Sequence, residues 1–414
     1  MASSFVTGRR KVFARPLRQG SATSHHQEAA HRAIAPPASV GTCAPCAGAR
    51  FRWGRGYGTA VRMWAPGNIS HRLRRRTLGI AAAFAAVISG GVPAQAQDEA
   101  GFQAYLGQLR QQAIAEGVSP RTADAVFPAL TLNDRVIALD RAQPGGGSST
   151  SIPAFAPYRA QHVDAARIGR GQQAYRAQRG RLAQIERETG VPESIMVAIW
   201  GHETNYGSYT GNFDILRSLA SLAYEGRRRS LFASEFIAGL KIIDRGISRD
   251  QLKGSWAGAM GNPQFLPSIY LRLARDGDGD GRADIWNSPA DTLASIGNYF
   301  VNAGWRAGQP WGVAVTVPAS FDRTQVRNRL VSPRCPRVFE RHSGWRTMAE
   351  WRAQGIAPQA GAWPADDVMA TLLEPDGTGA TAYLLTSNYR VILDYNCSNF
   401  YALSVGLLAD AVAR

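Results

Sequence analysis

The chain has 414 residues, 45% hydrophobic and 19% charged, a composition that is globular rather than repetitive. Its net charge of +16 points to a nucleic-acid binder until it is divided by region: residues 1–96 hold 14 Lys and Arg against the single acid Glu28, and the remainder holds 33 basic and 30 acidic residues. The basicity belongs to the leader, so no nucleic-acid partner is expected.

Within that leader Arg72, Arg74, Arg75 and Arg76 form a positive segment, and residues 78–92 (LGIAAAFAAVISGGV) an apolar one too short to span a bilayer comfortably. Ala94-Gln95-Ala96 fits a small-x-small cleavage site and leaves Gln97 as the mature N-terminus. Residues 63–96 are therefore expected to be a signal peptide starting at Met63, and residues 1–62 a disordered or mis-started extension. Arg75-Arg76 leaves Sec and twin-arginine export both open. No cysteine stands directly after the apolar segment, so no lipid anchor is expected, the shortness of that segment speaks against a stable membrane span, and the mature protein is assigned to the periplasm. Cys43 and Cys46 form an isolated C-x-x-C in the leader, too little for a zinc site. Cys335 and Cys397 remain, an even number in an oxidising compartment. A disulfide is expected, with two buried free thiols as the alternative.

Residues 97–180 read as helical. GFQAYLGQLRQQAIAEG stops at Gly117, Ser119-Pro120 opens a second segment, and residues 141–153 (RAQPGGGSSTSIP) have the composition of a flexible loop. A single long polar helix is expected over 158–189. In residues 191–207, VPESIMVAIWGHETNYG, Pro192 suits a first helical turn and Glu193 the positive end of the helix dipole. Ile195, Met196 and Ile199 recur at helical spacing, with Glu203 on the same stripe. A carboxyl against apolar surface has its pKa raised, as a general acid near neutral pH requires. A helix-end glutamate paired with an arginine is the other reading. A zincin HExxH is excluded, because Tyr206 stands where the second histidine belongs.

Beyond it, residues 214–224 predict a helix capped by Asp214, one of Arg227, Arg228 and Arg229 is expected to meet a carboxylate, and residues 231–243 predict an apolar helix. GSWAGAMGNPQFLPSIY (254–270) is rich in small residues, which permit close approach of another helix or of a ligand; Ser255 and Gln264 are its polar side chains. Asp276-Gly-Asp278-Gly-Asp280-Gly281 matches an EF-hand opening, with Arg282 at the backbone-carbonyl position and Asp284 at position nine. Position twelve is Asn287, which cannot chelate as a carboxylate; Asp291 completes the set if the loop is longer. A solvated turn is the alternative to calcium. Residues 291–305 predict a helix. The texture then changes to short β-rich runs, WGVAVTVPASF, ATLLEPDG, TAYLLTS and YRVILDYN, before a closing amphipathic helix, NFYALSVGLLADAVAR.

These residues together resemble the lytic murein transglycosylase B family, goose-lysozyme-like enzymes that cleave peptidoglycan. GHETNYG is similar to the family's G-x-E-[ST]-x-[WY]-G signature, SWAGAMGNPQFLPSIY to its second block, GNYFVNAGW to a third, and LDYNCSNFYALSVGLLAD to the closing one. Asn262-Pro263 departs from the usual second-block pattern. The resemblance implies an α+β, mainly α fold: a lysozyme-like helical core (181–308) carrying the EF-hand-like loop, a helical region before it (97–180, joined by a final helix 400–414) and a β-rich region (309–399). It implies a lyase in which Glu203 acts as acid and then base on the MurNAc–GlcNAc bond, giving 1,6-anhydroMurNAc ends, and in which Ser255, Gln264, Tyr299 and Asn396 position the sugar. It implies structural calcium at Asp276, Asp278, Asp280, Arg282 and Asp291, no cofactor for chemistry, and glycan strands as the partner of a monomer. A hydrolytic muramidase and a non-catalytic peptidoglycan-binding scaffold are the alternatives.

Overall fold

Capping side chains set most of the helix starts in the computed structural model, which describes residues 94–143 and 153–414, with side chains from Asp98 onward. The positive and apolar segments of the leader, Met63 and the C-x-x-C lie outside the described residues, as does most of the glycine- and serine-rich stretch. Helix α1 (Ala94–Ala115) begins within the expected cleavage tripeptide. Ser119 caps α2 (Pro120–Val126) and Asn133 caps α3 (Asp134–Arg141), each accepting a backbone N–H.

The single helix expected over 158–189 is three: α4 (Phe155–His162), α5 (Ala165–Ala177) and α6 (Arg179–Thr189). Asp164 makes the first break, turning its carboxylate to the N–H of Arg167 at 2.9 Å and so capping a new helix. Polar as the segment is, it reaches the core, where Leu182 and Ile185 are buried. The start of α4 is capped from far along the chain: Asp376 accepts the N–H groups of Phe155 (2.6 Å) and Ala156 (3.0 Å).

Helix α7 (Glu193–Thr204) is apolar on every side rather than along one stripe. Ile195 through Gly201 are all buried, as in a helix at the centre of a core. Asp214 caps α8 (Ile215–Glu225), which packs along α9 (Arg229–Asp244). Both Arg227 and Arg228 turn to Asp140, a fully buried carboxylate. A short ribbon pairs β1 (Phe213–Asp214) with β2 (Lys253–Gly254), and α10 (Pro267–Leu273) and α11 (Pro289–Asn302) follow.

The last third holds strands β3 (Gly312–Thr316), β4 (Arg346–Thr347), β5 (Ala357–Pro358), β6 (Met369–Leu373) and β7 (Ala382–Leu385), paired antiparallel in the order β4-β6-β7-β3-β5. Helices α12 (Pro336–Phe339) and α13 (Met348–Ala353) interrupt them, and α14 (Ser387–Tyr395) and α15 (Asn399–Val412) close the chain. YRVILDYN, expected as a β-run, is the body of α14. Thr386 caps that helix, and Tyr389, Ile392 and Leu393 bury one face at helical spacing, which outweighs the β-branched content. The closing helix α15 is not a one-faced amphipathic element either. It runs through the interior against α4, α5, α7 and α14, and Gly406 lets the Trp311 ring reach its backbone: a Cβ there would lie 2.4 Å from the indole.

Three apolar clusters form among the described residues. One joins α6, α7, α11, α14 and α15 around Met196, Ile199, Phe300 and Leu403. A second joins α1, α2, α8 and α9 around Phe102, Leu109, Leu219 and Phe236. The third lies between the sheet and α13, around Trp351 and Leu384. Tyr299 and Tyr395 pack against both of the first two, marking a seam between them.

Candidate active site

Glu203 lies at that seam, in the last turn of α7. Its Oε1 accepts a hydrogen bond from the Tyr401 phenol of α15 at 2.6 Å. Burial pushes the carboxyl up to about 7, and the Tyr401 bond pulls it partly back. Among the described residues no arginine pairs with it, so the helix-end ion pair is not what the structure shows. The adjacent His202 is no proton partner near neutral pH: burial, with Arg167 beside it, lowers its imidazole to about 3.

Tyrosines from three helices surround the carboxylate. Tyr299 (α11) and Tyr395 (α14) meet edge to face at 4.7 Å, with Phe265 at 5.8 and 6.2 Å from them. Their hydroxyls are anchored, Tyr299 donating to the Asp394 carbonyl (3.0 Å) and Tyr395 to the Pro263 carbonyl (2.6 Å). Desolvation raises the phenols of Tyr299, Tyr395 and Tyr401, so all three stay neutral beside Glu203.

The other expected site residues make no hydrogen bond to Glu203, and Gln264 and Ser255 are already partly committed. Gln264 adopts a left-handed φ of 52°, and its Nε2 donates to the carbonyls of Thr210 (3.0 Å) and Gly261 (2.8 Å), so its remaining capacity is to accept. The Ser255 hydroxyl accepts the Ala259 N–H at 3.0 Å and keeps its own proton to donate. Asn396 ends α14 with a buried Oδ1 that has no partner, an acceptor costly to leave empty.

Sequence reasoning missed Tyr401, Tyr395, Asn262 and Arg167. The density of tyrosines in YNCSNFY is the one available signal for the first two; nothing in the sequence flags Arg167. Its Nη1 donates to the Gly201 carbonyl (2.6 Å), while Tyr206 donates to the Arg167 carbonyl (3.0 Å). Tyr206 also explains the first glycine of GHETNYG: a Cβ on Gly201 would fall 2.5 Å from its ring.

In the acidic loop, carboxylate oxygens of Asp276, Asp278 and Asp291 converge within 4.8 Å of one another. Asp291 is wholly buried and accepts the N–H groups of Gly277 (2.7 Å) and Asp284 (2.6 Å); burial still pushes its carboxyl up. Asp280 stands outside this group, with its carboxylate on the Arg282 N–H at 2.8 Å, and the Arg282 side chain is exposed. Asn287 turns to Asp284, donating at 2.9 Å. Converging carboxylate oxygens, one buried, are the donor set of a hard divalent cation. Cys335 and Cys397 are joined as a disulfide with Cα atoms 5.5 Å apart.

A family model described as "Transglycosylase SLT domain" matches residues 101–410. Over 227 residues the chain is 34% identical to membrane-bound lytic murein transglycosylase B of Escherichia coli (strain K12), covering 54% of this chain and 58% of that protein, little more than half its length. Among solved structures it is similar to SltB3 from Pseudomonas aeruginosa in complex with NAG-anhNAM-pentapeptide: TM-score 0.67, 38% identity, 75% of this chain and 79% of that one. It is also similar to the Escherichia coli lytic transglycosylase Slt35 in complex with calcium: TM-score 0.60, 27% identity, 74% and 92% coverage. The fold is thus lysozyme-like, mainly α with a small antiparallel sheet.

Proposed function

Because the chain belongs to the transglycosylase SLT family, we propose that it is a peptidoglycan lytic transglycosylase acting on the β-1,4 bond between MurNAc and GlcNAc. The observation that carries this reading is a single carboxyl, Glu203, held up to about 7 by burial and bonded to one neutral phenol. Most glycosidases flank the bond with two carboxylates; here one serves twice. Protonated Glu203 gives its proton to the glycosidic oxygen as the C1–O bond breaks, and the substrate's acetamido oxygen stabilises C1. Glu203, now ionised, takes the proton from the C6 hydroxyl, whose oxygen bonds to C1 and closes the 1,6-anhydro ring. No water is consumed. Gln264 offers its carbonyl and Ser255 its hydroxyl proton to the sugars, and Asn396 and Tyr299 line the groove. Mass spectrometry of sacculi digested by the purified enzyme tests this: anhydro-muropeptides are expected, while reducing-end products alone would mean a hydrolase and binding without release a scaffold.

Since the acid must start protonated, kcat/KM is expected to fall as pH rises through about 7. Tyr401→Phe removes the bond that favours the carboxylate, so this alkaline limb should move to higher pH. A pH–rate profile with an unmoved limb would contradict the assignment.

Asp276, Asp278 and Asp291 fit calcium by their geometry, and the ion would brace the loop that opens α11 without entering the chemistry. Calcium at about 100 times its Kd should stabilise the fold by roughly 2.7 kcal/mol. Asp278→Ala should abolish that response in a melting experiment with and without chelator; an unchanged melting point for the parent would remove the site. We assign the mature enzyme to the periplasm; among the described residues no helix is long and apolar enough to cross a membrane.

A further inference from the structure

Asn262, which the reaction as described leaves unused, is 4% exposed and joined to two elements that do not otherwise meet through side-chain bonds of their own. Toward α7, its Oδ1 accepts the Trp200 indole N–H at 3.2 Å and its carbonyl accepts the Thr204 hydroxyl at 3.1 Å. Toward the exit of the acidic loop, its N–H donates to the Ile285 carbonyl at 2.8 Å and its Nδ2 to the Trp286 carbonyl at 3.2 Å. Trp200 and Thr204 bracket Glu203 in the last turn of the helix. Thr204 in turn accepts the Gly207 N–H at 3.1 Å, and a Cβ on Gly207 would lie 2.8 Å from Asn262 Oδ1. The second glycine of GHETNYG therefore admits this side chain.

The neighbours of Asn262 are held as well. Pro263 accepts from Tyr395 and Gln264 donates to Thr210, so three consecutive residues grip three sides of the seam. We propose that Asn262 is a positioning residue for the reaction: it ties the last turn of α7, and with it the Glu203 carboxyl, to the exit of the acidic loop. The proposal rests on Glu203 being the acid. Loss of the tie lets the turn shift, and misplacement of a reacting group by about 1 Å can cost on the order of 10²-fold in rate.

Kinetics on isolated glycan strands test it in Asn262→Leu, Asn262→Asp and Thr204→Val. In Asn262→Leu, kcat is expected to fall by roughly 10- to 100-fold with KM nearly unchanged. Asn262→Asp keeps the acceptor for Trp200 but loses the donor to the Trp286 carbonyl, so it is expected to recover only part of the rate. Thr204→Val, which preserves shape, breaks the same tie from the helix side; combined with Asn262→Leu it should cost less than the product of the two effects. It also carries the test should Asn262→Leu not fold. The Trp200 indole N–H resonance, identified by Trp200→Phe, should move in Asn262→Leu as its acceptor is lost. A folded Asn262→Leu with parental kcat, or one altered only in KM or melting point, overturns the proposal. If Glu203→Gln is inactive in that same assay, only the tie has failed; an active Glu203→Gln defeats the catalytic reading itself.

Discussion

Glu203→Gln is expected to lose anhydro-muropeptide release by roughly 10²–10⁴-fold, the usual contribution of a positioned acid and base, because an amide can neither give nor take the proton. The same substitution should stabilise the fold at alkaline pH. The carboxyl is raised from 4.5 to about 7 in the native state. Below pH 4.5 both folded and unfolded forms hold the proton and the group costs nothing. Between 4.5 and 7 the unfolded chain releases it while the native state keeps it, so the parent loses stability as pH rises. Above 7 the loss is complete and amounts to at most about 3 kcal/mol, less to the extent that water reaches the site. Denaturation midpoints of parent and Glu203→Gln should therefore coincide near pH 4 and separate in favour of the variant by pH 8. Parallel curves would mean that the carboxyl is not desolvated.

Opening the disulfide is expected to be the costliest change to stability. The bridge spans 62 residues, for which the chain-entropy model gives about 4 kcal/mol. The bond also lies among residues proposed to hold the sugar: Cys397 directly follows Asn396, and beside Cys335 the side chain of Arg334 pairs with Asp394, whose carbonyl holds Tyr299. Cys335→Ser with Cys397→Ser should thus lower the melting point and weaken substrate binding together. Non-reducing peptide mapping of protein from the periplasm checks the premise; two freely alkylated cysteines in active enzyme would refute it.

Local chemistry made some of the site legible in the sequence and left the rest hidden. Glu203 and the Asp276–Asp280 run stand out because the patterns that mark them are local, an apolar helical spacing for the one and alternating Asp-Gly for the other, and Asp214 because a cap acts on the residues just after it. Tyr401, Tyr395 and Asn262 act across 198, 132 and 62 residues of chain, distances at which no periodic pattern survives. The failed expectations have the same root. Asp164 looks like one more polar residue of a long helix until its side chain is seen to cap a new one. The β-branched residues of α14 favour a strand until the first core claims Ile392 and Leu393 on one face. Helix α15 reads as one-faced because the sequence does not show that four other helices surround it.

Digestion of sacculi in ¹⁸O-labelled water tests the central claim most directly, because one carboxyl acting twice leaves no role for solvent. Products one water lighter than hydrolysed muropeptides, free of ¹⁸O and absent with Glu203→Gln, are expected. Label at C1 of the released MurNAc ends would contradict the claim.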